Sequence, residues 1–179
     1  VQQAGSHVDD ERLRFDFSHF EAVSLEQLAA VERLANDWAL ANIPVDVNLV
    51  TLDEAHSMGA MALFDEKYGN VVRVVRVGDV SLELCGGTHV ARTGDIGMIK
   101  IVSEGGIAAG VRRIEAVTGL GALDFVNRTR SALHGVADIL KVSDDSVAAR
   151  VDRLMQDLHD REREVHRLTQ RLAAGSVDS

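Results

Sequence analysis

The sequence has 179 residues, of which 46% are hydrophobic, so it can bury a core and is not disordered by composition. Its net charge of −9 argues against general binding to nucleic acid, because binding to phosphates needs clustered Lys and Arg side chains. No apolar run approaches the roughly 20 residues of a membrane-spanning helix, and the single cysteine cannot form an internal disulfide. We therefore expect a cytoplasmic protein without a membrane partner. The first residues have the features of neither a signal peptide nor a transit peptide and include no initiator methionine, so we expect a piece of a longer protein.

The first predicted elements are a strand and a helix. Alternating side chains predict a strand over residues 13–20. Ser24 and Gln27 have the spacing of a capping box, which predicts a helix through about residue 41. Pro44, the only proline, follows the end of this helix. Four apolar residues at helical spacing predict its buried stripe: Leu28, Val31, Ala35 and Trp38.

The next elements are a second strand, a short helix and a β-rich region. Residues 45–52 have the pattern of a strand, and a second capping box at Thr51 and Glu54 predicts a short helix that ends near residue 59. Eleven of the fifteen glycines lie between residues 69 and 121, which indicates many turns. Four further strands are predicted there, in VVRVVRVGD, SLELCGG, GMIKIVSE and GVRRIEAVTG. This order favours an α+β fold with a mixed sheet and packed helices.

Beyond residue 121 the pattern is helical. Within residues 147–172, apolar side chains follow a 3-4 spacing that is interrupted once, by Arg161. The spacing predicts a coiled coil and a homodimer formed through residues 147–172. Two alternatives are a helix packed on its own domain and an antiparallel hairpin with residues 122–141. The seam contains seven residues: Val147, Val151, Leu154, Leu158, Val165, Leu168 and Leu172.

The stretch LCGGTH contains the only cysteine, Cys85, and places His89 four residues later. A thiolate and an imidazole are good zinc ligands, but the pair supplies only two of the three or four that zinc requires. By spacing alone, the alternatives are a buried structural cysteine with a histidine bonded to backbone, and a Cys–His nucleophile pair. The glycine run SEGGIAAG is not followed by Gly-Lys-Ser/Thr, so it is not a P-loop and does not imply ATP.

Several stretches together resemble one family. QQAGS, LRFDFSHF, GAMALFDEKYG, LELCGGTHVARTGDIG and EGGIAAGVRRIEAVTG occur in the order of the editing domain of bacterial alanyl-tRNA synthetase. The resemblance covers residues 1–119, and the helical residues 120–179 resemble the start of the carboxyl-terminal domain of that enzyme. Free-standing editing proteins and threonyl-tRNA synthetase share the C-x-x-x-H element, but GVRRIEAVTG and the coil favour the alanyl family.

The resemblance implies an activity and a metal. The editing domain hydrolyses the ester of tRNA(Ala) that was mischarged with serine or glycine. Cys85 and His89 would be two of its zinc ligands, and the other two come in the family from an H-x-x-x-H helix upstream, which this sequence does not contain. We therefore expect an incomplete zinc site and impaired editing by this chain alone. ATP and Mg²⁺ would belong to the aminoacylation domain, which is also not in this sequence.

The resemblance also implies roles for other residues. Gln3 and Ser6 match polar positions of the editing pocket, Thr88 lies beside the ligands, and Arg112 matches a position that meets the tRNA acceptor end. Arg113 points to the opposite face of the strand and is expected to be structural. Gly86 and Gly87 lack a Cβ and allow the backbone to approach the metal and the substrate closely. The alternative is a module for dimerisation and tRNA docking that has no catalytic role.

Overall fold

The computed structural model describes residues 1–61 and 69–175. Most of the stretch GAMALFDEKYG, which contributes to the resemblance, lies outside the described residues. The described part contains seven strands and four helices: β1 (Gln3–Val8), β2 (Leu13–Ser18), α1 (Leu25–Leu40), β3 (Val45–Thr51), α2 (Leu52–Ser57), β4 (Val71–Val77), β5 (Ser81–Leu84), β6 (Ile99–Ala108), β7 (Val111–Thr118), α3 (Gly119–Leu140) and α4 (Val147–Gly175).

The strands form two antiparallel sheets, one in the order β1-β2-β7-β6 and one in the order β3-β4-β5. The α+β class is confirmed. The mixed sheet that we expected is replaced by these two sheets, because β1–β2, β4–β5 and β6–β7 are joined by short turns, which connect antiparallel neighbours. A parallel pairing occurs among the described residues only as an isolated bridge between Met61 and Glu83. The sequence analysis did not predict β1, which pairs with β2 at one edge of the larger sheet.

Both predicted capping boxes are present. Ser24 Oγ accepts a hydrogen bond from the Gln27 amide at 3.2 Å, and Gln27 Oε1 accepts one from the Ser24 amide at 2.9 Å. Thr51 and Glu54 form the same reciprocal pair at the start of α2. These contacts bind amide groups that the first turn of a helix leaves without a partner, so local sequence alone fixes where both helices begin.

The predicted apolar stripe of α1 holds at Leu28 and Ala35, which are half-buried, but not at its other two residues. Val31 and Trp38 are 50% and 39% exposed, whereas Glu32 and Asn36 turn towards the edge strand β6. Asn36 accepts from the Ile99 amide at 2.9 Å and donates to the Ile99 carbonyl at 2.8 Å. Glu32 accepts a hydrogen bond from the amide of Ile101 at 2.7 Å. The polar side chains of α1 thus bind edge-strand groups that have no neighbouring strand to pair with.

The end of α1 is joined to the segment that follows the LCGGTH stretch. Thr93 is the buried polar residue of this junction, with 7% exposure. Its hydroxyl donates to the Trp38 carbonyl at 2.7 Å and accepts from the Ile43 amide at 2.8 Å. Arg92 donates to the Asn42 carbonyl at 2.6 Å. Helix α1 and the segment after residue 90 are therefore held together through a buried hydroxyl and backbone groups.

The core of the smaller sheet lies between the sheet and α2. It is formed by buried apolar side chains, and Ala55 and Val74 are almost completely inaccessible, at 0% and 1% exposure. Leu84, the last residue of β5, belongs to the same cluster at 4% exposure. Burial of these side chains fixes the point at which the LCGGTH segment leaves the sheet.

The chain divides into two compact units, one up to Asp124 and one from Phe125 onward, with the boundary inside α3. The second unit contains the rest of α3, a short 3₁₀ turn at Asp144–Ser146 and α4. Along α4 the predicted seam is exposed from Val151 onward, between 38% at Leu154 and 76% at Leu172, whereas Val147 at its start is half-buried. Among the described residues, no helix combines the length and the apolar character that crossing a membrane requires.

Candidate functional site

The candidate site begins where β5 ends. Cys85 follows the buried Leu84 and is half-buried, whereas residues 86–90 are exposed. The Cys85 amide donates to the Arg73 carbonyl at 3.1 Å, which extends the pairing of β4 and β5 by one bond. We refer to residues 85–90 as the Cys–His loop. Its first residue is held by the sheet, and the remaining residues lie beyond the end of the strand.

The side chain of Arg73 reaches from β4 to this loop. Its Nη1 donates to the carbonyl of Cys85 at 3.0 Å and also to the carbonyl of Gly87. A Cβ at Gly87 would lie 3.6 Å from Cys85 Sγ, so the thiol lies close to the backbone at this glycine. The sequence analysis missed Arg73. The signal that was available is a charged residue within the apolar strand VVRVVRV.

The environment of His89 favours its neutral form. Partial desolvation lowers its pKa, and the positive charge of Arg73 lowers it further, whereas Glu83 acts in the opposite direction. A neutral imidazole has a free nitrogen lone pair and is the form that binds metals. The lowered pKa of His89 thus favours the form of the imidazole that can bind a metal ion.

The donor set fits zinc in type but not in number. A cysteine sulfur and a neutral histidine nitrogen are preferred zinc donors, and zinc needs at least three protein ligands. Within residues 1–61 and 69–175, no group of three or more His, Cys, Asp or Glu side chains is arranged to hold a metal ion. Cys85 and His89 would thus supply two positions of a zinc site, and any further protein ligands would have to come from outside the described residues.

Gln3 and Ser6, the two predicted pocket residues on β1, are brought together. Gln3 Nε2 donates to Ser6 Oγ at 3.0 Å. The hydroxyl keeps its own proton available for donation, so the pair presents a donor and an acceptor at the edge of the larger sheet. Thr88, the third predicted polar residue, is exposed in the Cys–His loop.

Arg112 and Arg113 lie on opposite faces of β7 and each has a carboxylate partner. Arg112 forms a bidentate pair with Glu104, and the side chains are only 15% and 6% exposed. This contact lowers the pKa of Glu104. Arg113 forms a bidentate pair with Asp16 at 2.7 and 2.8 Å, as expected of a structural residue. A contact between Arg112 and tRNA stays a prediction, because in this structure its guanidinium binds Glu104.

The predicted site residues thus form three groups: the Cys–His loop, the Gln3–Ser6 pair and Arg112. In the part of the chain that the structure describes, no hydrogen bond or ion pair connects one group with another. The first group has the donor atoms of a metal site, the second has polar groups suited to an amine or a hydroxyl, and the third carries a positive charge.

Comparisons with known proteins match the region that holds these groups. Residues 72–115 match the family described as "Threonyl and Alanyl tRNA synthetase second additional domain". The chain is 53% identical over 173 residues to the alanine--tRNA ligase of Idiomarina loihiensis, and 51% identical over 173 residues to that of Halorhodospira halophila. It is 51% identical over 176 residues to the alanine--tRNA ligase of Pseudoalteromonas translucida. Each match covers 97% or 98% of this chain and 20% of the relative, so the chain spans about a fifth of the length of these relatives.

Proposed function

Because the chain belongs, over nearly its whole length, to one segment of the bacterial alanine--tRNA ligases, we propose that it is the editing segment of such an enzyme. The proposed reaction is hydrolysis of the ester bond in tRNA(Ala) that carries serine or glycine. The proposed partner is therefore the acceptor end of a mischarged tRNA. The segment would act in a longer protein whose synthetic site attaches alanine to the same tRNA.

The need for such an activity follows from the limits of binding. A pocket that accepts alanine rejects glycine, which lacks one methyl group, by only about 1–3 kcal/mol. It is equally poor at rejecting serine, which adds one hydroxyl. A second site that hydrolyses the wrong products supplies the missing discrimination.

The observation that carries the proposal is the Cys–His loop within the matched region. Cys85 and His89 lie on one short loop that begins at a buried strand end, and desolvation together with the charge of Arg73 lowers the pKa of His89. We propose that both bind zinc, with further ligands from residues outside the described ranges. When bound, zinc supplies a Lewis acid that polarises a water or orients the aminoacyl end.

The remaining groups would bind and orient the substrate. The amide of Gln3 and the hydroxyl of Ser6 have the polarity to bind the substrate amine or the serine hydroxyl, and Thr88 is suited to hold a water beside the ligands. Arg112 would meet a phosphate of the acceptor end by exchanging part of its contact with Glu104. Each of these roles requires that the aminoacyl ester bond of the tRNA be held in a fixed position relative to the Cys–His loop.

The test is Cys85→Ala in the intact synthetase. We expect hydrolysis of Ser-tRNA(Ala) and the zinc of the editing site to be lost together, whereas alanine charging is unchanged because the synthetic site is separate. Ser57→Ala, a similar reduction in size at the exposed end of α2, is the control and should retain both. If Cys85→Ala cleared Ser-tRNA(Ala) at the parental rate, the assignment of Cys85 as a ligand would be wrong.

A second candidate function rests on α4. Its seam leaves Leu158 and Val165 52% and 63% exposed, and exposed apolar stripes of this spacing are typical of coiled coils. We propose that residues 147–172 form a homodimer. If the chain bound tRNA or dimerised without hydrolysing Ser-tRNA(Ala) in any context, it would act as a docking module instead.

A further inference from the structure

We propose that Arg73 is a positioning residue for the Cys–His loop, which it holds in the conformation that presents Cys85 and His89. This inference rests on the proposed editing function, for which it adds a residue that neither the motif nor the resemblance identified. Arg73 would act through the loop rather than on the substrate.

The first argument is that the described residues form few other hydrogen bonds with the loop. Cys85 is bonded to the sheet through its amide, and the next backbone hydrogen bond along the chain is the one from the Val45 amide to the Ala91 carbonyl, at 3.0 Å. Between these two points, the described residues provide one side chain that bonds the loop, and it is Arg73. Glycines at positions 86 and 87 add conformational freedom, so the loop needs an external contact to adopt one conformation.

The second argument is the rigidity of the element from which Arg73 extends. Strand β4 is the central strand of its sheet, and the two neighbours of Arg73 are buried, with 6% exposure at Val72 and 1% at Val74. Residues locked by packing are the ones that hold a site precisely. The guanidinium thus connects the glycine-containing loop to the central strand of the smaller sheet, whose residues beside Arg73 are buried.

The third argument is the geometry of the contact. One nitrogen, Nη1, binds the carbonyls of Cys85 and Gly87, so both oxygens converge on one point and the backbone turns around it. This turn lies within the Cys85–His89 interval and therefore bears on how the thiol and the imidazole are spaced. Hydrogen bonds from a charged donor are stronger than neutral ones, which suits the one side-chain contact that the described residues form with the loop.

The experiment measures loop order and editing separately. In the 179-residue chain, ¹⁵N relaxation gives order parameters for residues 86–90 in the parent, in Arg73→Met and in Arg73→Lys. We expect the values to fall from about 0.85 in the parent to below about 0.6 in Arg73→Met, which keeps the length of the side chain but removes its donors. Arg73→Lys keeps one charged nitrogen and should give intermediate values.

Arg76→Met is the matched control. It is the same substitution in the same strand, three residues away and therefore on the other face of the sheet, so the loop should keep the parental order parameters. In the intact synthetase, Arg73→Met should lower kcat for Ser-tRNA(Ala) hydrolysis about 10–100-fold with KM little changed, the range typical of residues that orient metal ligands. Arg73→Lys should restore part of this loss.

Unchanged order parameters in Arg73→Met would overturn the proposal, and so would a disordered loop with parental kcat. If Arg73→Met failed to fold, the comparison of Arg73→Lys with the parent would decide by the same two measurements. Failure of the editing proposal has a different signature: an intact enzyme with an unaltered segment that does not hydrolyse Ser-tRNA(Ala). In that case the order parameters still decide whether Arg73 holds the loop.

Discussion

The two compact units stabilise themselves in different ways. Nine of the ten buried apolar residues found in the described part of the chain lie before residue 125, and Ala137 alone lies in the second unit. The first unit adds polar contacts with buried or half-buried partners, such as Thr93 and Asn36. In the second unit, the apolar seam of α4 remains exposed from Val151 to Leu172.

This difference is consistent with the two proposed functions. Hydrolysis of an ester needs groups held within fractions of an ångström, which a closed core and buried hydrogen bonds provide. Association needs an apolar surface that is covered only when a partner is present. Substitutions in the first unit should therefore change stability or editing, and those in the second should change association.

The largest effect is expected for Leu158→Asp. If the α4 seam is intermolecular, the parent chain sediments as a dimer at micromolar concentration, and a charge in the seam weakens association at least ~100-fold, or about 2.7 kcal/mol. Sedimentation velocity over a concentration series measures this change. His159→Asp, at the next position outside the seam, should remain dimeric. A parent chain that is monomeric at high concentration would show that the seam packs within one chain.

A smaller effect is expected for Asn36→Leu, which tests whether polar contacts stabilise the first unit. The substitution leaves the Ile99 amide and carbonyl without their partner, at a cost of about 2 kcal/mol. Urea denaturation followed by Trp38 fluorescence measures the free energy of unfolding of this unit. Asp37→Leu, at the adjacent exposed position, should cost only a few tenths of a kcal/mol. Equal losses in both variants would show that the contact with β6 does not stabilise the unit.

The smallest effect is a difference in pH dependence. Arg112 lowers the folded pKa of Glu104 below its ordinary value of 4.5, so the stabilisation is present above pH 4.5 and is lost as the pH falls through the folded pKa. In the second unit, a hydrogen bond from His134 to Asp144 at 3.0 Å, together with the charge of Asp138, raises the folded pKa of His134 above 6.5, against a smaller effect of Arg130. This stabilisation is present below pH 6.5 and is lost as the pH rises through the folded pKa.

We therefore expect acidic pH to lower the stability of the first unit and mildly alkaline pH to lower the stability of the second. NMR titration of His134 measures its folded pKa. Thermal melting of the helices, followed by circular dichroism at pH values about one unit apart between about pH 5.5 and 8.5, measures the second effect. His134→Gln should remove this dependence, whereas His159→Gln, in the exposed middle of α4, should leave it unchanged. A parent chain with the same helix stability across this range would contradict the prediction.

Local sequence was sufficient where the cause of a structure is local. Ser24 with Gln27 and Thr51 with Glu54 fixed the starts of two helices, since a capping box involves residues only three positions apart. The strands from β2 to β7 were recognisable from their apolar and β-branched residues, and β1 was missed because QAGSHV lacks that composition. The resemblance was recognisable because several long motifs occur in one order, and the comparisons confirm it.

Tertiary structure decided the contacts that depend on partners far away in the sequence. Val31 and Trp38 have the spacing of a buried stripe, but Glu32 and Asn36 face β6 because its edge groups, more than sixty residues away, need hydrogen bonds. In the same way, the motif indicated Cys85 and His89 as ligands, but the contact of Arg73 with their loop follows from the pairing of β4 with β5. Spacing along the chain specifies which donor atoms are available, whereas strand pairing determines which side chain holds them in place.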